Sequence, residues 1–98
     1  MAVVCDLHVV GGTHAESTRL QAQVERRLNE SGGPPDGLMF ACVHPHARGF
    51  RILLVFRSAE AAQNEIEGAL RADAAAVGID LGAPATAPVW HMALPAAR

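Results

Sequence analysis

The chain has 98 residues, a length typical of one domain, and residues 1–98 are expected to fold as a single unit. Half of the residues are hydrophobic, only 18% are charged, and the net charge is −2. No basic run exceeds two residues, which argues against nucleic acid as a partner. No segment carries the ~18 apolar residues that cross a bilayer, and no basic leader is present, so we expect a soluble cytoplasmic protein without a membrane partner.

The first predicted element is a strand over residues 2–10, whose apolar run VCDLHVV is interrupted by two polar residues. A strand alternates its side chains between two faces, so Asp6 and His8 share one face. We expect them to point away from the helices, because the opposite face is wholly apolar. That face carries Val3, Cys5, Leu7 and Val9.

A helix is predicted to follow this strand. Thr13 and Glu16 have the spacing of a capping box, a specific signal for the start of a helix. Leu20, Val24 and Leu28 then recur at intervals of four residues and form one apolar stripe. The stretch SGGPPDG is expected to end the helix, because Gly and Pro favour turns.

Two further strands are predicted as a hairpin, LMFACVH (38–44) and FRILLVF (50–56), connected by PHARG. The open face of the sheet would receive Arg51, Leu53, Val55, Arg57 and Met39. The helix side would receive Leu38, Phe40 and Cys42, with His44 at the strand end, and Phe50, Ile52, Leu54 and Phe56.

A second helix and a last strand complete the predicted elements. Ser58 is the expected N-cap of the helix, and Gly78 marks its end. The helix stripe contains Ala62, Ile66, Ala69, Leu70, Asp73 and Val77. The run VWHMAL (89–94) is predicted as the last strand, with Trp90, Met92 and Leu94 toward the helices and Val89, His91 and Ala93 on the open face.

The order βαββαβ predicts an α+β, ferredoxin-like domain: a four-stranded antiparallel sheet in the order 4-1-3-2 with both helices on one face. The open face is too apolar for water, so we expect it to contact another chain. Cys5 and Cys42 are expected on the helix side with strand 3 between them. Two strand spacings are about 9.6 Å, beyond the ~7 Å limit for a disulfide, so both cysteines should be reduced.

The open face is the first candidate site, because Asp6, His8, His91 and Arg51 are expected to be neighbours there. One interpretation is structural, with Asp6 and Arg51 paired across an interface between chains. A second is proton transfer, with Asp6 orienting a histidine base. A third is a metal site with two His and one carboxylate.

A pocket between sheet and helices is the second candidate site, with a tightly packed core as the alternative. His44 would be either a polar group at its rim or a solvated hairpin residue. Pro45 extends the backbone and should place His44 and His46 on one side, but no third metal ligand is near in sequence. The predicted pocket lining is Phe40, Leu54, Phe56, Trp90 and Met92.

Nearly the whole chain resembles the antibiotic biosynthesis monooxygenase type of the dimeric α/β-barrel superfamily. The resemblance rests on Asp36-Gly37-Leu38, Val55-Phe56-Arg57-Ser58, Glu60-Ala61 and Val89-Trp90-His91. It implies a homodimer whose sheets pack face to face. Family members include cofactor-independent monooxygenases, polyketide cyclases and haem-degrading enzymes. Here Phe56 replaces a frequent Trp, no Tyr is present, and the second helix has no His for haem.

The expected function is therefore that of a small enzyme of secondary metabolism acting on an apolar, aromatic or polyketide-like molecule. We expect no organic cofactor, because the chain has no phosphate-binding glycine loop or nucleotide fingerprint. His91 or His8 would be the general base, oriented by Asp6. Phe40, Phe56, Trp90, Met92, His44 and Arg51 would contact the substrate. The alternative is a dimeric, non-enzymatic protein that binds a divalent metal or a small ligand.

Overall fold

The computed structural model describes residues 1–93. The strands are β1 (Val3–Val10), β2 (Leu38–His46), β3 (Gly49–Phe56) and β4 (Ala85–Pro88). The first helix is α1 (His14–Ser31). A second helix, residues 59–76, runs without interruption through α2 (Ala59–Gln63), a π-helical segment (Asn64–Leu70) and α3 (Arg71–Ala76).

The sheet is antiparallel and has the strand order β2-β3-β1-β4, which confirms the predicted ferredoxin-like topology. The helix side of the two central strands forms the core, together with Leu20 of α1 and the apolar stripe of the second helix. Ile79 and Leu81, which follow the second helix, are also buried there. No helix within residues 1–93 is long and apolar enough to cross a membrane.

Both predicted helix starts are confirmed. Thr13 and Glu16 form a reciprocal capping box, and the Ser58 hydroxyl accepts a hydrogen bond from the Ala61 N–H at 3.1 Å. These oxygens satisfy amide groups that have no partner within the helix. Gly78 follows the second helix in a left-handed conformation (φ 77°), as predicted for a C-terminal glycine.

Gly37 shows why the Asp-Gly-Leu motif suits this fold. Its backbone is left-handed (φ 81°), and a Cβ at this position would lie only 2.8 Å from the Cβ of Ala61. Its carbonyl accepts a hydrogen bond from the Arg57 N–H at 2.8 Å. Only glycine adopts this left-handed backbone and fits so close to Ala61 without strain. The start of β2 can therefore pack closely on the start of the second helix.

A β-bulge in β2 shows that the predicted assignment of its side chains to the two faces of the sheet is partly wrong. Leu38 is opposite Phe56, but Phe40 is opposite Val55, so the register shifts between Leu38 and Phe40. From Phe40 onward each residue of β2 faces the side opposite to the prediction. Phe40, Cys42 and His44 consequently lie on the open face. The predicted shared face of Cys5 and Cys42 is therefore wrong, although both cysteines are free as expected.

The last strand was also predicted in the wrong place. β4 consists of Ala85–Pro88, which pairs with Val3 to Asp6 of β1, whereas the prediction placed it at residues 89–94. Only Val89 continues along β1, through a hydrogen bond from its N–H to the carbonyl of Ala2. Trp90, His91 and Met92 lie beyond the strand and are exposed. Leu94, predicted to face the core, lies outside the described residues.

Candidate functional site

A groove of about 440 Å³ lies between α1 and the helix side of the sheet. Leu20, Val24 and Leu28, the stripe predicted from the sequence, form its α1 wall. The groove stays open because α1 does not cover edge strand β2, and Val43 on that strand is 46% exposed. Cys42 borders the groove although its side chain lies on the open face. The rest of the lining consists of Pro35, Leu38, Ala41, Val43, Phe50, Ile52, Leu54, Phe56 and Leu70.

Only part of the predicted pocket lining is present in this groove. Leu54 and Phe56 line it as expected. Phe40 does not, because the bulge turns it to the open face. Trp90 and Met92 do not line it either, because they follow β4, and Trp90 is 82% exposed.

Three polar residues line the groove: Ser17 and Gln21 of α1, and Glu65 of the π-helical segment. Glu65 is held by Arg27 of α1, whose Nη2 lies 2.6 Å from Glu65 Oε2. The Nε of Arg27 donates to Asp73 Oδ2 at 2.7 Å. Arg27 therefore connects α1 to the second helix beside the groove.

The electrostatics of this ion triad stabilise the charged arginine. Burial lowers the pKa of Arg27, but hydrogen bonds and attraction to Asp73 and Glu65 outweigh burial and raise that pKa above its ordinary value. Asp73 is 3% exposed, so its carboxylate depends on Arg27 for compensation. The only sign of the triad in the sequence is Asp73, an acidic residue within the apolar stripe of the second helix.

The open face carries a second group of polar side chains, arranged in cross-strand rows. Arg51 is opposite His8 on one side and His44 on the other, so these three residues form one row. Asp6 lies in the next row, opposite Leu53. Arg51 Nη1 lies 3.3 Å from Asp6 Oδ2 within the same chain, whereas the structural interpretation placed this pair across an interface between chains.

His44 is tied to Arg51 in a way that defines its tautomer. The Nε of Arg51 donates to His44 Nε2 at 2.9 Å, so that nitrogen carries no proton. The Nδ1 of His44 then donates to the Pro45 carbonyl at 2.8 Å. His44 is therefore neither at the rim of the groove nor a solvated hairpin residue, because it is half-buried on the open face.

His46 is the last member of the polar group on the open face. Its ring lies 4.9 Å from that of His8 and 6.0 Å from that of His44, between centroids. His8 Nε2 donates to the His46 carbonyl at 3.2 Å. The extended His-Pro-His segment thus places both imidazoles on one side, as predicted, and we define the cluster as Asp6, His8, His44, His46 and Arg51.

His91 is not part of this cluster. It lies beyond β4, whereas Asp6 pairs with Ala85 and His8 lies past the end of the β1–β4 pairing. The expected proximity of His8 and His91 is therefore wrong, because it depended on a strand at residues 89–94. Within residues 1–93, no three His, Cys, Asp or Glu side chains are arranged to hold a metal ion.

Comparisons with known proteins show which fold this is. A protein of unknown function from Nitrosomonas europaea is 17% identical, with a TM-score of 0.63, over 98% of this chain and 94% of its own. A provisionally named antibiotic biosynthesis monooxygenase from Chloroflexus aurantiacus is 18% identical, with a TM-score of 0.53, over 96% and 97%. Rv0793 from Mycobacterium tuberculosis is 17% identical, with a TM-score of 0.51, over 94% and 97%.

No family model and no curated protein sequence matches the chain. At these identities the three solved structures establish the architecture and not the substrate. The chain therefore has a ferredoxin-like α+β fold, as predicted, and shares it with the Chloroflexus aurantiacus structure that carries the antibiotic biosynthesis monooxygenase name.

Proposed function

We propose that this protein is a small enzyme that takes up an apolar, aromatic or polyketide-like molecule in the groove between α1 and the sheet. The observation that carries this proposal is the groove itself, with its apolar walls and few polar groups. Its volume of about 440 Å³ falls within the range of small-molecule sites. The reaction would be oxygenation or cyclisation without an organic cofactor, and the name of the Chloroflexus structure supports this class.

The general base expected from the sequence does not fit this site. The described lining contains no histidine, and the open-face polar cluster lies on the other side of the sheet. The metal-binding alternative also loses its expected ligands, because His91 is not beside His8 and Asp6. A protein that binds a small ligand without transforming it is the alternative that the groove still supports.

Blocking the groove tests the proposal. Ala41 lies on the groove wall, so Ala41→Trp should fill it, whereas Ala22 lies on the exposed side of α1. Bicyclic and tricyclic aromatic phenols and ketones should raise the unfolding temperature of the unaltered protein and of Ala22→Trp, but not of Ala41→Trp. If no compound raises it, or if Ala41→Trp responds equally, the groove is not the ligand site.

Turnover of the compounds that bind then separates the two remaining functions. Incubation in air, followed by mass spectrometry and dissolved-oxygen measurement, should show a product that has gained oxygen if the protein is an oxygenase. A product formed without oxygen uptake would indicate a cyclase. Recovery of every bound compound unchanged would support a binding protein instead of an enzyme.

We further propose that the open face is covered by a second copy of the chain. This face exposes Val10 (75%) and Phe40 (47%), and Val4, Leu53 and Val55 are only half-buried on it. Native mass spectrometry should detect a dimer, and Val55→Glu should convert it to a monomer because a carboxylate would be buried without a partner. A dimer that survives Val55→Glu, or a monomeric unaltered protein, would rule out this interface.

A further inference from the structure

The lining of the groove contains one carboxylate, which is ion-paired with an arginine outside the lining. Its described lining is almost wholly apolar, and Glu65 is the one acidic side chain in it. The side chain of Glu65 is 13% exposed, so water reaches it poorly. A carboxylate oxygen in such surroundings needs a hydrogen-bond donor, because an unpaired polar atom in an apolar site is costly.

The two oxygens of Glu65 are not equally satisfied. Oε2 accepts from Arg27 Nη2 at 2.6 Å, but Oε1 lies 3.5 Å from Arg27 Nη1, at the outer limit for a hydrogen bond. Arg27 cannot move closer to Oε1 freely, because its Nε is held by Asp73 at 2.7 Å. Oε1 is therefore the Glu65 oxygen with the weaker protein partner, and the one with more capacity to accept a hydrogen bond from a ligand.

The charge beside the groove also restricts the ligand. Glu65 and Asp73 carry two negative charges against the single positive charge of Arg27, which leaves a net charge of −1. An anionic group on the ligand would be repelled here, whereas a neutral donor would be attracted. Glu65 also lies in the π-helical segment, a type of irregularity that is frequent at functional sites.

We propose that Glu65 is the specificity-determining residue of the groove and selects aromatic ligands that carry a phenolic or enolic hydroxyl. The hydroxyl donates to Oε1 while the ring system packs on the apolar walls. This inference rests on the proposed function, because it requires that the groove is the ligand site. It adds the chemical group that the ligand must carry.

Three probes of similar shape test the inference on the unaltered protein: 2-naphthol, 2-methylnaphthalene and 2-naphthoate. The first donates a hydrogen bond, the second has a methyl group at that position, and the third is an anion. We expect 2-naphthol to bind at least about tenfold more tightly than 2-methylnaphthalene, and 2-naphthoate to bind most weakly, in fluorescence or calorimetric titrations.

Variants test whether Glu65 causes the preference for 2-naphthol over 2-methylnaphthalene. In Glu65→Gln the ratio of the 2-naphthol and 2-methylnaphthalene affinities should fall to within about threefold. Glu67→Gln is the matched control, because Glu67 lies in the same segment but is exposed and pairs with Arg71. It should keep the full preference. Glu65→Asp retains the charge near Arg27 and provides a second variant if Glu65→Gln does not fold, with an intermediate preference expected.

The outcomes separate this inference from the proposed function. If neither 2-naphthol nor 2-methylnaphthalene binds the unaltered protein, the groove is not the ligand site and both fail. If the two bind equally, the groove remains the site and the role of Glu65 is wrong. If Asp73→Asn, which also alters the Arg27 anchor but lies outside the groove lining, loses the preference as completely as Glu65→Gln, the effect belongs to Arg27 and the inference is overturned.

Discussion

The two faces of the sheet use polar side chains in different ways. On the helix side, the triad of Arg27, Glu65 and Asp73 joins two helices and leaves the sheet surface itself apolar. On the open face, the polar cluster around Arg51 lies directly on the strands and is only half-buried. The first arrangement stabilises the fold of a single chain. The second leaves polar groups accessible to whatever covers the face, which we propose is another copy.

Replacing one phenylalanine on each face by alanine should give the largest difference between the faces in lost free energy of unfolding. Phe56 is fully buried in the core, so Phe56→Ala should lower the free energy of unfolding by about 4 kcal/mol. Phe40 is half-exposed on the open face, so Phe40→Ala should cost less than about 1 kcal/mol in a single chain. Urea denaturation of both variants under conditions that keep the chain monomeric measures the two values. Equal losses would mean that the bulge in β2 does not turn Phe40 outward.

Replacing the arginine of each polar group should give the next largest difference. Arg27→Met leaves Glu65 and the buried Asp73 without compensation and should cost about 2–3 kcal/mol. Arg51→Met removes a more exposed pair and should cost at most about 1 kcal/mol. Thermal unfolding at low and high salt checks both, and the Arg51 contribution should be the more strongly screened by salt.

The contribution of Arg27 to the free energy of unfolding should not depend on pH between neutral and moderately alkaline values. Its pKa is raised in the folded chain, so its stabilisation is complete below the ordinary, strongly alkaline pKa of arginine and declines only as the pH rises through the still higher pKa of the folded chain. The difference in unfolding free energy between the unaltered protein and Arg27→Met should therefore be constant from about pH 7 to about pH 10. A steady decrease over that range would contradict the geometry of the triad.

Two adjacent valines of β1 provide the finest comparison. Val9 is buried on the helix side and Val10 is exposed on the open face. Replacement by Thr keeps the shape and adds a hydroxyl, so Val9→Thr should cost about 1–2 kcal/mol. Val10→Thr should change the stability by less than about 0.5 kcal/mol. Chemical denaturation of the pair measures both, and a larger loss for Val10→Thr would reverse the assignment of the faces.

The central part of the fold was predictable because simple periodicity determines it. β1 and β3 alternate strictly between apolar and mixed residues, and each has a neighbour on both sides. The capping residues Thr13 and Ser58 act within three residues of their own positions, so their signals are visible locally. Strand order then follows from the few connections that the element order allows.

The edge strands were less predictable because their positions depend on pairing. Leu38, Met39 and Phe40 are all apolar, so nothing in the sequence shows that one extra residue is accommodated there. β4 is made of Ala85–Pro88, which has almost no apolar signal, while the strongly apolar run after it lies beyond the strand. Hydrogen bonding to β1 sets its position, and composition does not report this.

The candidate site was the least predictable part. Arg27 is 38 residues from Glu65 and 46 residues from Asp73, so no local spacing connects them. The same is true of His8 and His46, which are also 38 residues apart and meet only through the register of three strands. Sequence patterns identified the α1 stripe and two of the five predicted lining residues, Leu54 and Phe56. The polar groups came together only in the folded chain.

The π-helical segment implies an unusual tolerance to changes in chain length. In a regular helix, deleting one residue rotates everything after it by roughly 100°, which would turn Leu70 and Asp73 away from their contacts. A π-helical turn contains a surplus residue, so the loss of one residue within 64–70 can restore regular winding while the flanking turns keep their orientation. Gly68, whose position has open space around it, is the natural residue to lose. Among relatives of this protein, single-residue gaps in the second helix should therefore concentrate in this segment.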